Sequence, residues 1–299
     1  MKHKNLAKKS KNLARSIAIS QGVWYNNNRC EKISFCTLVC KERTRYMGKI
    51  ISFANQKGGV GKTTSAVNIA ASLGVLGYKV LLIDLDPQGN ATSGVGIVKK
   101  NLKTTVFDLL TTDASAEEVT IKTRFTNLSV IPTNTTLARA EYELADVENG
   151  EYVMKKKLDA VRSEYDYIII DCPPSLSMLT VNAMTASDGV VIPMQCEFFA
   201  LEGLSQLMFT ISRIKTHYNK DLNVTGILIT MYNSRLILSM QVLNELRKHY
   251  ADKIFETTVS RNVKLSEAPS FGAPVYYHEK RSKGSVEYLN IAKELAERI

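Results

Sequence analysis

The feature that most constrains how this chain can fold is a glycine-rich segment at residues 57–64, which reads KGGVGKTT. It follows the apolar run 50–54, which is typical of a buried strand, and a helical pattern begins at its end. Glycines allow a backbone to approach phosphate oxygens that a Cβ atom would push away, and a lysine neutralises their charge. A strand, loop and helix of this kind predict a phosphate-binding loop.

The residues of this loop have different expected contributions. Lys62 would neutralise the β and γ phosphate oxygens, the Thr63 hydroxyl would face Mg²⁺, and Thr64 would bind the α-phosphate. Lys57 is a second lysine that an ordinary phosphate loop does not need, so it requires a separate explanation. The remaining predicted nucleotide contacts are Gly58, Gly59, Val60 and Gly61. A glycine-rich turn that binds nothing is the alternative, and the flanking strand and helix argue against it.

The formal net charge of +10 is concentrated at one end of the chain. Of 39 Lys and Arg and 29 acidic residues, residues 1–46 hold 11 basic and two acidic ones. This leaves 28 basic and 27 acidic residues in 47–299, so any DNA-binding surface there must be a local patch. We expect residues 1–46 to be either a disordered basic arm or translated sequence upstream of a start at Met47. The second is preferred, because the phosphate loop follows Met47 so closely.

Short β-branched runs alternate with amphipathic segments from residue 48 onward. Apolar strands separated by helices predict a predominantly parallel, doubly wound α/β sheet, formed by one domain spanning 47–299. No apolar stretch approaches the roughly 20 residues that cross a bilayer. Predicted strands are 50–55, 79–84, 128–132, 166–171, 189–194 and 224–231, and predicted helices are 63–76, 135–146, 153–163, 178–186, 201–217, 239–250 and 286–298.

Acidic residues stand at the ends of two further predicted strands. Asp84 and Asp86 are two residues apart in LIDLDPQGN, so on a strand both would face the same side. Asp171 ends the apolar run YIIID, an arrangement that can hold Mg²⁺ through water. Ligands of such sheets bind at the carboxyl ends of the strands, where all three aspartates fall.

Together these motifs resemble the ParA/MinD family of deviant Walker ATPases, and within it the chromosomal ParA (Soj) branch. The resemblance covers residues 48–299. It implies a P-loop fold, ATP and Mg²⁺ as cofactors, and a Lys57 that reaches across a dimer to the partner's nucleotide, much as an arginine finger does. It also implies that Asp86 positions the attacking water, while Asp84 supports the Mg²⁺ shell and Asp171 acts as the Walker B carboxylate.

Two later segments extend the resemblance, TMYNSR at 230–235 and SRNVKLSEAPS at 260–270. It implies adenine contacts by Asn233 and Asn262, and nonspecific DNA contacts by Arg235 and Lys264. The family usually has arginine where Lys264 stands and proline where Ser260 stands. A lysine still neutralises a phosphate but loses the bidentate geometry of arginine.

The function implied is that of a slow DNA-segregation ATPase in the cytoplasm, associated with the nucleoid. ATP would assemble a homodimer that holds nonspecific double-stranded DNA, and a ParB-like centromere-binding partner would stimulate hydrolysis and release.

Three alternatives stay open. A MinD-like regulator of division-site placement would need a membrane helix, but the last predicted helix carries Glu287, Glu294 and Glu297 on its polar face, whereas interfacial helices prefer a basic one. We therefore expect that helix to pack on the core, with no membrane partner. An iron–sulfur reductase would need more cysteines than Cys172 and Cys196. A metabolic P-loop ligase would not explain Lys57 together with Arg235 and Lys264.

Overall fold

A computed structural model describes residues 47–299, which contain one seven-stranded sheet. In spatial order the strands are β3-β4-β2-β5-β1-β6-β7, so β1 lies near the centre between β5 and β6. All neighbouring strands are parallel except β3 and β4. The strands are β1 (Lys49–Phe53), β2 (Val80–Asp84), β3 (Ile121–Lys122), β4 (Leu128–Ile131), β5 (Tyr167–Asp171), β6 (Gly189–Gln195) and β7 (Asn223–Thr230).

Twelve α-helices within residues 47–299 cover this sheet or its edges. They are α1 (Lys62–Val75), α2 (Asn90–Gly94), α3 (Val106–Thr111), α4 (Ala116–Val119), α5 (Ala140–Ala145), α6 (Val153–Val161), α7 (Met178–Ala186), α8 (Ala200–His217), α9 (Ile237–Tyr250), α10 (Val263–Glu267), α11 (Val275–His278) and α12 (Lys283–Arg298). The six predicted strands and seven predicted helical regions all occur, with ends shifted by a few residues. The edge strand β3 and the short helices were not predicted.

The sheet separates two apolar cores, as expected for strands that are apolar throughout. On one face Ile50 and Ile168 pack with residues of α3 to α9, and on the other Ile51 and Ile169 pack with residues of α1, α11 and α12. Successive strand residues point to opposite faces, which is why neighbouring isoleucines belong to different cores. The prediction of a doubly wound, predominantly parallel sheet is confirmed.

The last helix, α12, packs against α1, as predicted. Its buried Tyr288 hydroxyl lies 3.0 Å from the Ser65 hydroxyl of α1. Two of the three acidic residues that the sequence places on its polar face accept hydrogen bonds from backbone amides. Glu287 accepts a hydrogen bond from the Ser260 amide at 3.1 Å, and Glu294 accepts one from the Glu256 amide at 2.9 Å. These carboxylates hold the helix against residues 256–260, which connect α9 to α10.

No helix within residues 47–299 is long and apolar enough to cross a membrane. Residues 1–46 lie outside the described part of the chain, so the expectations for that segment stay predictions.

Candidate nucleotide site

The phosphate loop connects the carboxyl end of β1 to the start of α1. Gly59 (φ 75°) and Gly61 (φ 84°) have left-handed backbone conformations, which favour glycine because a Cβ atom is strained there. Gly61 is the residue from which α1 begins. The amides of the first helical turn are thereby directed at the loop, which is the arrangement that binds anions at helix N-termini.

Two side chains from neighbouring strands hold the loop in place. The buried Thr230 hydroxyl, at the end of β7, lies 2.7 Å from the Val60 carbonyl oxygen. Gln195, at the end of β6, donates its side-chain amide to the Gly59 carbonyl at 2.8 Å. The loop conformation therefore depends on contacts with two strands that lie more than a hundred residues later in the sequence.

The strongest sign of a cation site is the carboxylate of Asp171. It is fully buried at the end of β5, and neither oxygen has a hydrogen-bond partner within residues 47–299. Burial raises the pKa of Asp171 well above its usual range, and the neighbouring Asp84 raises it further, while the Thr63 hydroxyl and Lys62 lower it. A buried carboxylate that Thr63 and Lys62 compensate only in part fits Mg²⁺, which binds hard oxygen ligands and keeps several waters.

Asp84 and Asp86 occupy different environments. Asp84 pairs in register with Asp171 and is fully buried, and its Oδ2 accepts hydrogen bonds from the Thr92 amide (2.6 Å) and hydroxyl (2.7 Å). Burial raises the pKa of Asp84 to about 6. Asp86 lies beyond the strand and lines the phosphate cavity, while its Oδ1 accepts from the Gln88 amide at 3.0 Å. Of this pair, Asp86 is the one that faces the space where phosphates would lie.

Lys62 is only 7% exposed, and its ammonium donates to the Lys57 carbonyl oxygen at 3.3 Å. Burial lowers the pKa of Lys62, whereas the carboxylates of Asp171 and Asp86 raise it. The cavity beside it measures about 290 Å³, and its lining includes predicted residues from the phosphate loop and from the segment after β2. These are Gly58, Gly59, Gly61, Lys62, Thr63, Thr64 and Asp86.

The Lys57 side chain does not point into the phosphate cavity. Its ammonium forms an ion pair with the carboxylate of Glu197, just after β6, and both side chains are about half exposed (47% and 49%). Its backbone amide donates to the Asn55 side-chain oxygen at 3.0 Å. Lys57 is not among the described residues that line the phosphate cavity.

Thr64 also lines a second cavity of about 250 Å³, which Asn262 and Tyr288 border. The predicted adenine contact at Asn262 is therefore next to the phosphate loop, although its side-chain oxygen caps α10 by accepting from the Lys264 amide at 2.8 Å. Asn233 lines neither of these cavities; it borders a third one of about 570 Å³. The two predicted adenine contacts therefore line different cavities, which adjoin at Met231, Ser260 and Arg261.

Met231 borders all three cavities and has a left-handed backbone (φ 50°), which is uncommon for a residue other than glycine. Such conformations cost energy and persist where surrounding contacts enforce them, frequently at functional sites. Here the strand is held just before it by Thr230, whose hydroxyl bonds the phosphate loop.

The predicted DNA contacts also differ in their surroundings. Arg235 is exposed and lines the third cavity together with Arg261 and Lys283. Lys264 lies outside that lining, and its ammonium donates to the Glu267 carboxylate at 2.8 Å. Its charge is therefore partly neutralised within the chain.

Sequence reasoning missed the side chains that come from distant segments, chiefly Gln195, Glu197, Thr230 and Tyr288. For Gln195 and Glu197 a signal existed, because polar residues that directly follow an apolar strand lie at the same sheet edge as Asp171. Tyr288 belongs to the buried face of α12, and nothing in the sequence indicates that this face reaches the phosphate loop.

A phosphate loop after a central parallel strand, with acidic residues at the ends of the neighbouring strands, defines a P-loop nucleoside triphosphatase. Comparison with known proteins agrees. The model of a family described as AAA domain matches residues 48–224. The Soj sporulation initiation inhibitor protein of Bacillus subtilis is 52% identical over 250 residues, covering 84% of this chain and 99% of that protein.

Two further matches are informative. The chromosome partitioning protein ParA of Caulobacter vibrioides is 46% identical over 252 residues, covering 84% of this chain and 94% of ParA. A solved structure of cobyrinic acid a,c-diamide synthase from Mycobacterium smegmatis, with bound ADP and magnesium, is 35% identical with a TM-score of 0.74, covering 84% of this chain and 94% of that one. This chain thus belongs to the AAA domain family and, within it, to the Soj and ParA group of P-loop ATPases. The resemblance inferred from the motifs is confirmed, and the expectation of ATP and Mg²⁺ agrees with the groups bound in the solved structure.

Proposed function

We propose that this chain is a DNA-segregation ATPase, in which ATP binding drives homodimerisation and the dimer holds nonspecific double-stranded DNA. A ParB-like centromere-binding partner would stimulate slow hydrolysis and so release the DNA, in the cytoplasm at the nucleoid. The relatives named for Soj and for chromosome partitioning support this proposal. The single observation within the molecule that carries it is the cationic cavity beside the nucleotide site.

Hydrolysis is assigned to a few residues. Lys62 and the loop amides would bind the phosphates, and Thr63 and Asp171 would hold Mg²⁺, which supplies charge neutralisation at the transferred phosphoryl group. Asp86 would orient the attacking water, since it faces the phosphate cavity. Asp84 would support this arrangement indirectly, because Thr92 and the Asp86 amide already occupy its oxygens.

Dimerisation is supported by the surface around the site. The residues after β6 and β7 lie at one edge of the sheet, because these strands are parallel neighbours in register. Several are large, apolar and exposed by 41–73%: Phe198, Phe199, Leu236, Ile237, Leu238 and Met240. Exposed apolar residues clustered around a site are typical of a surface that another molecule covers.

DNA binding is supported by three cations in one cavity. Arg235, Arg261 and Lys283 line it, and the only acidic residue of its lining, Glu197, is already paired with Lys57. Lys283 lies 3.7 Å from Glu287, so its charge is partly offset. The Ser260 hydroxyl is buried nearby without a hydrogen-bond partner in the described chain. Such a surface suits phosphate oxygens, and two copies joined in a dimer would bind DNA far more tightly than one.

Reversing the charge at Arg235 tests this proposal. We expect Arg235→Glu to abolish ATP-dependent retention on DNA while leaving ATP-dependent dimerisation intact, because the guanidinium is exposed and bonds no side chain within residues 47–299. Retention would be measured on immobilised duplex at several salt concentrations, and dimerisation by light scattering. Lys264→Glu is the comparison, and we expect a smaller loss because Glu267 already neutralises that lysine. DNA retention that survives Arg235→Glu would move the binding surface elsewhere.

A second candidate is a metabolic amide synthase, which the name of the Mycobacterium smegmatis structure favours. The same experiment separates the two, because such an enzyme has no need of ATP-dependent DNA retention. A MinD-like positioning regulator would instead show ATP-dependent binding to lipid vesicles.

A further inference from the structure

The end of β6 and the residues just after it bind the phosphate loop where the loop begins. Gln195 donates to the Gly59 carbonyl, and the carboxylate of Glu197 holds the ammonium of Lys57. The Lys57 backbone is fixed separately by Asn55, whose side-chain amide in turn donates to the Pro193 carbonyl of β6 at 2.7 Å. The Lys57 side chain is thus directed towards β6 and away from the phosphates of its own loop.

We infer that Glu197 is a positioning residue that restrains Lys57 in the single chain, and that this ion pair separates when Lys57 engages the nucleotide of a second copy. The inference rests on the proposed function, because only a dimer gives Lys57 a target outside its own chain. If the pair stayed intact, the Glu197 carboxylate would be brought beside the partner's phosphates, which carry the same sign of charge and repel it. Breaking the pair is therefore a cost of assembling the active dimer.

The position of Glu197 strengthens this argument. Phe198 and Phe199 follow it directly, are 73% and 69% exposed, and have their ring centroids 5.0 Å apart. A second copy that covers these rings would contact the segment that holds Lys57. Glu197, which restrains Lys57, is therefore followed directly by the two phenylalanines whose burial by a second copy is expected to release the restraint.

The size of the effect follows from the exposure of the pair. Half-exposed ion pairs each change an equilibrium by up to about fivefold, and the effect decreases with salt. A dimer must break two of them. Removing the restraint is therefore expected to tighten dimerisation by roughly 2- to 25-fold at low ionic strength.

The test is Glu197→Gln, which keeps the shape of the side chain and removes its charge. The dimer dissociation constant would be measured by analytical ultracentrifugation with a non-hydrolysable ATP analogue, at about 0.05 M and about 0.5 M salt. We expect the tightening at low salt and a ratio to the wild type near one at high salt. Glu202→Gln, which removes the same charge from an exposed glutamate in the first turn of α8, is the matched control and should change little.

A double-mutant cycle identifies the partner of Glu197. In a Lys57→Ala background, Glu197→Gln should have no further effect on dimerisation. Weaker or unchanged dimerisation of Glu197→Gln overturns the inference, as does a gain that persists at high salt or without Lys57. If Lys57→Ala does not dimerise at all, the comparison of Glu197→Gln with the wild type at low and high salt decides the inference alone. A wild-type protein that stays monomeric with the analogue would instead contradict the proposed function.

Discussion

At the residue scale, the lysine that the phosphate loop does not need is also the one that points away from it. Lys62 is buried among the aspartates of the site, while Lys57 lies half exposed at the edge of the sheet. Two lysines five residues apart therefore have different chemistry available to them. Lys62 can neutralise phosphates in its own chain, and Lys57 can reach outwards.

Replacing Lys57 tests this division. We expect Lys57→Ala to reduce ATP turnover by at least 10²-fold, because an inserted cation of this kind stabilises transition-state charge, with ATP affinity changed by less than about tenfold. Turnover would be measured by phosphate release and affinity by calorimetry. Lys62→Ala is the contrast and should lose most of its nucleotide affinity. Equal losses of affinity in both variants would contradict separate tasks for the two lysines.

At the scale of the elements, α1 is positioned by a glycine near its end. An ideal Cβ atom at Gly74 would lie only 2.3 Å from the Thr126 carbonyl oxygen, and the Gly74 carbonyl accepts from the Asn127 side chain at 3.2 Å. The helix can therefore approach the segment before β4 only because this residue has no side chain. Since α1 begins at the phosphate loop, a shift of its far end is transmitted to the site.

A matched pair of alanine substitutions tests this contact. We expect Gly74→Ala to lower the free energy of unfolding by about 1–3 kcal/mol, because the clash with a backbone carbonyl outweighs the helix-propensity gain of alanine, which is at most about 1 kcal/mol. Gly203→Ala in α8, where a Cβ atom would meet nothing within 4 Å, should be neutral or stabilising. Urea denaturation of both variants provides the measurement. A Gly74→Ala protein as stable as the wild type would show that the helix can move freely.

The sequence predicts the buried strands well, but it does not predict the short elements or the contacts between distant segments. Buried strands were found nearly to their ends because they are apolar throughout, whereas β3 has two residues and no period to detect. Residues 57–64 and Asp171 were singled out because motif and strand end coincide, and the structure brings Lys62, Thr63 and Asp171 together. Gln195 and Thr230 were missed because their contacts with the loop exist only after the strands pair. The amide contacts of Glu287 and Glu294 were not predicted, because helical period alone cannot distinguish a solvated carboxylate from one bonded to backbone amides.

At the scale of the whole molecule, β1, β2, β5, β6 and β7 all bring side chains or backbone to one edge of the sheet. The same edge carries the buried Asp171 carboxylate without a hydrogen-bond partner in residues 47–299. A buried carboxyl group with a raised pKa must either take up a proton or be accompanied by a cation, and without the cation either state costs stability at neutral pH. Folding stability and cofactor binding are therefore coupled.

This coupling predicts a magnesium-dependent rise in melting temperature. ATP with Mg²⁺ at about 100 times its dissociation constant should stabilise the protein by about 2.7 kcal/mol. For a body of this size that corresponds to a rise in Tm of about 5–11 °C. Removing Mg²⁺ with a chelator should reduce this rise, as seen by scanning calorimetry.

Asp171→Asn is the control variant for this measurement. Without the buried ionisable group, the nucleotide-free protein should melt at the same or a higher temperature, and Mg²⁺ should add little beyond ATP alone. A magnesium effect that is equally large in Asp171→Asn would place the cation on other ligands.

The packing of α12 on α1 also has a consequence for how the protein is made. Tyr288 borders the cavity next to the phosphate loop and bonds Ser65, yet it follows all seven strands in the order of synthesis. A nascent chain whose sheet is already formed on the ribosome would still have an open wall beside its phosphate loop. Tight nucleotide binding should therefore begin only after α12 has emerged from the exit tunnel, so that loading with ATP is delayed until synthesis of the domain is nearly complete.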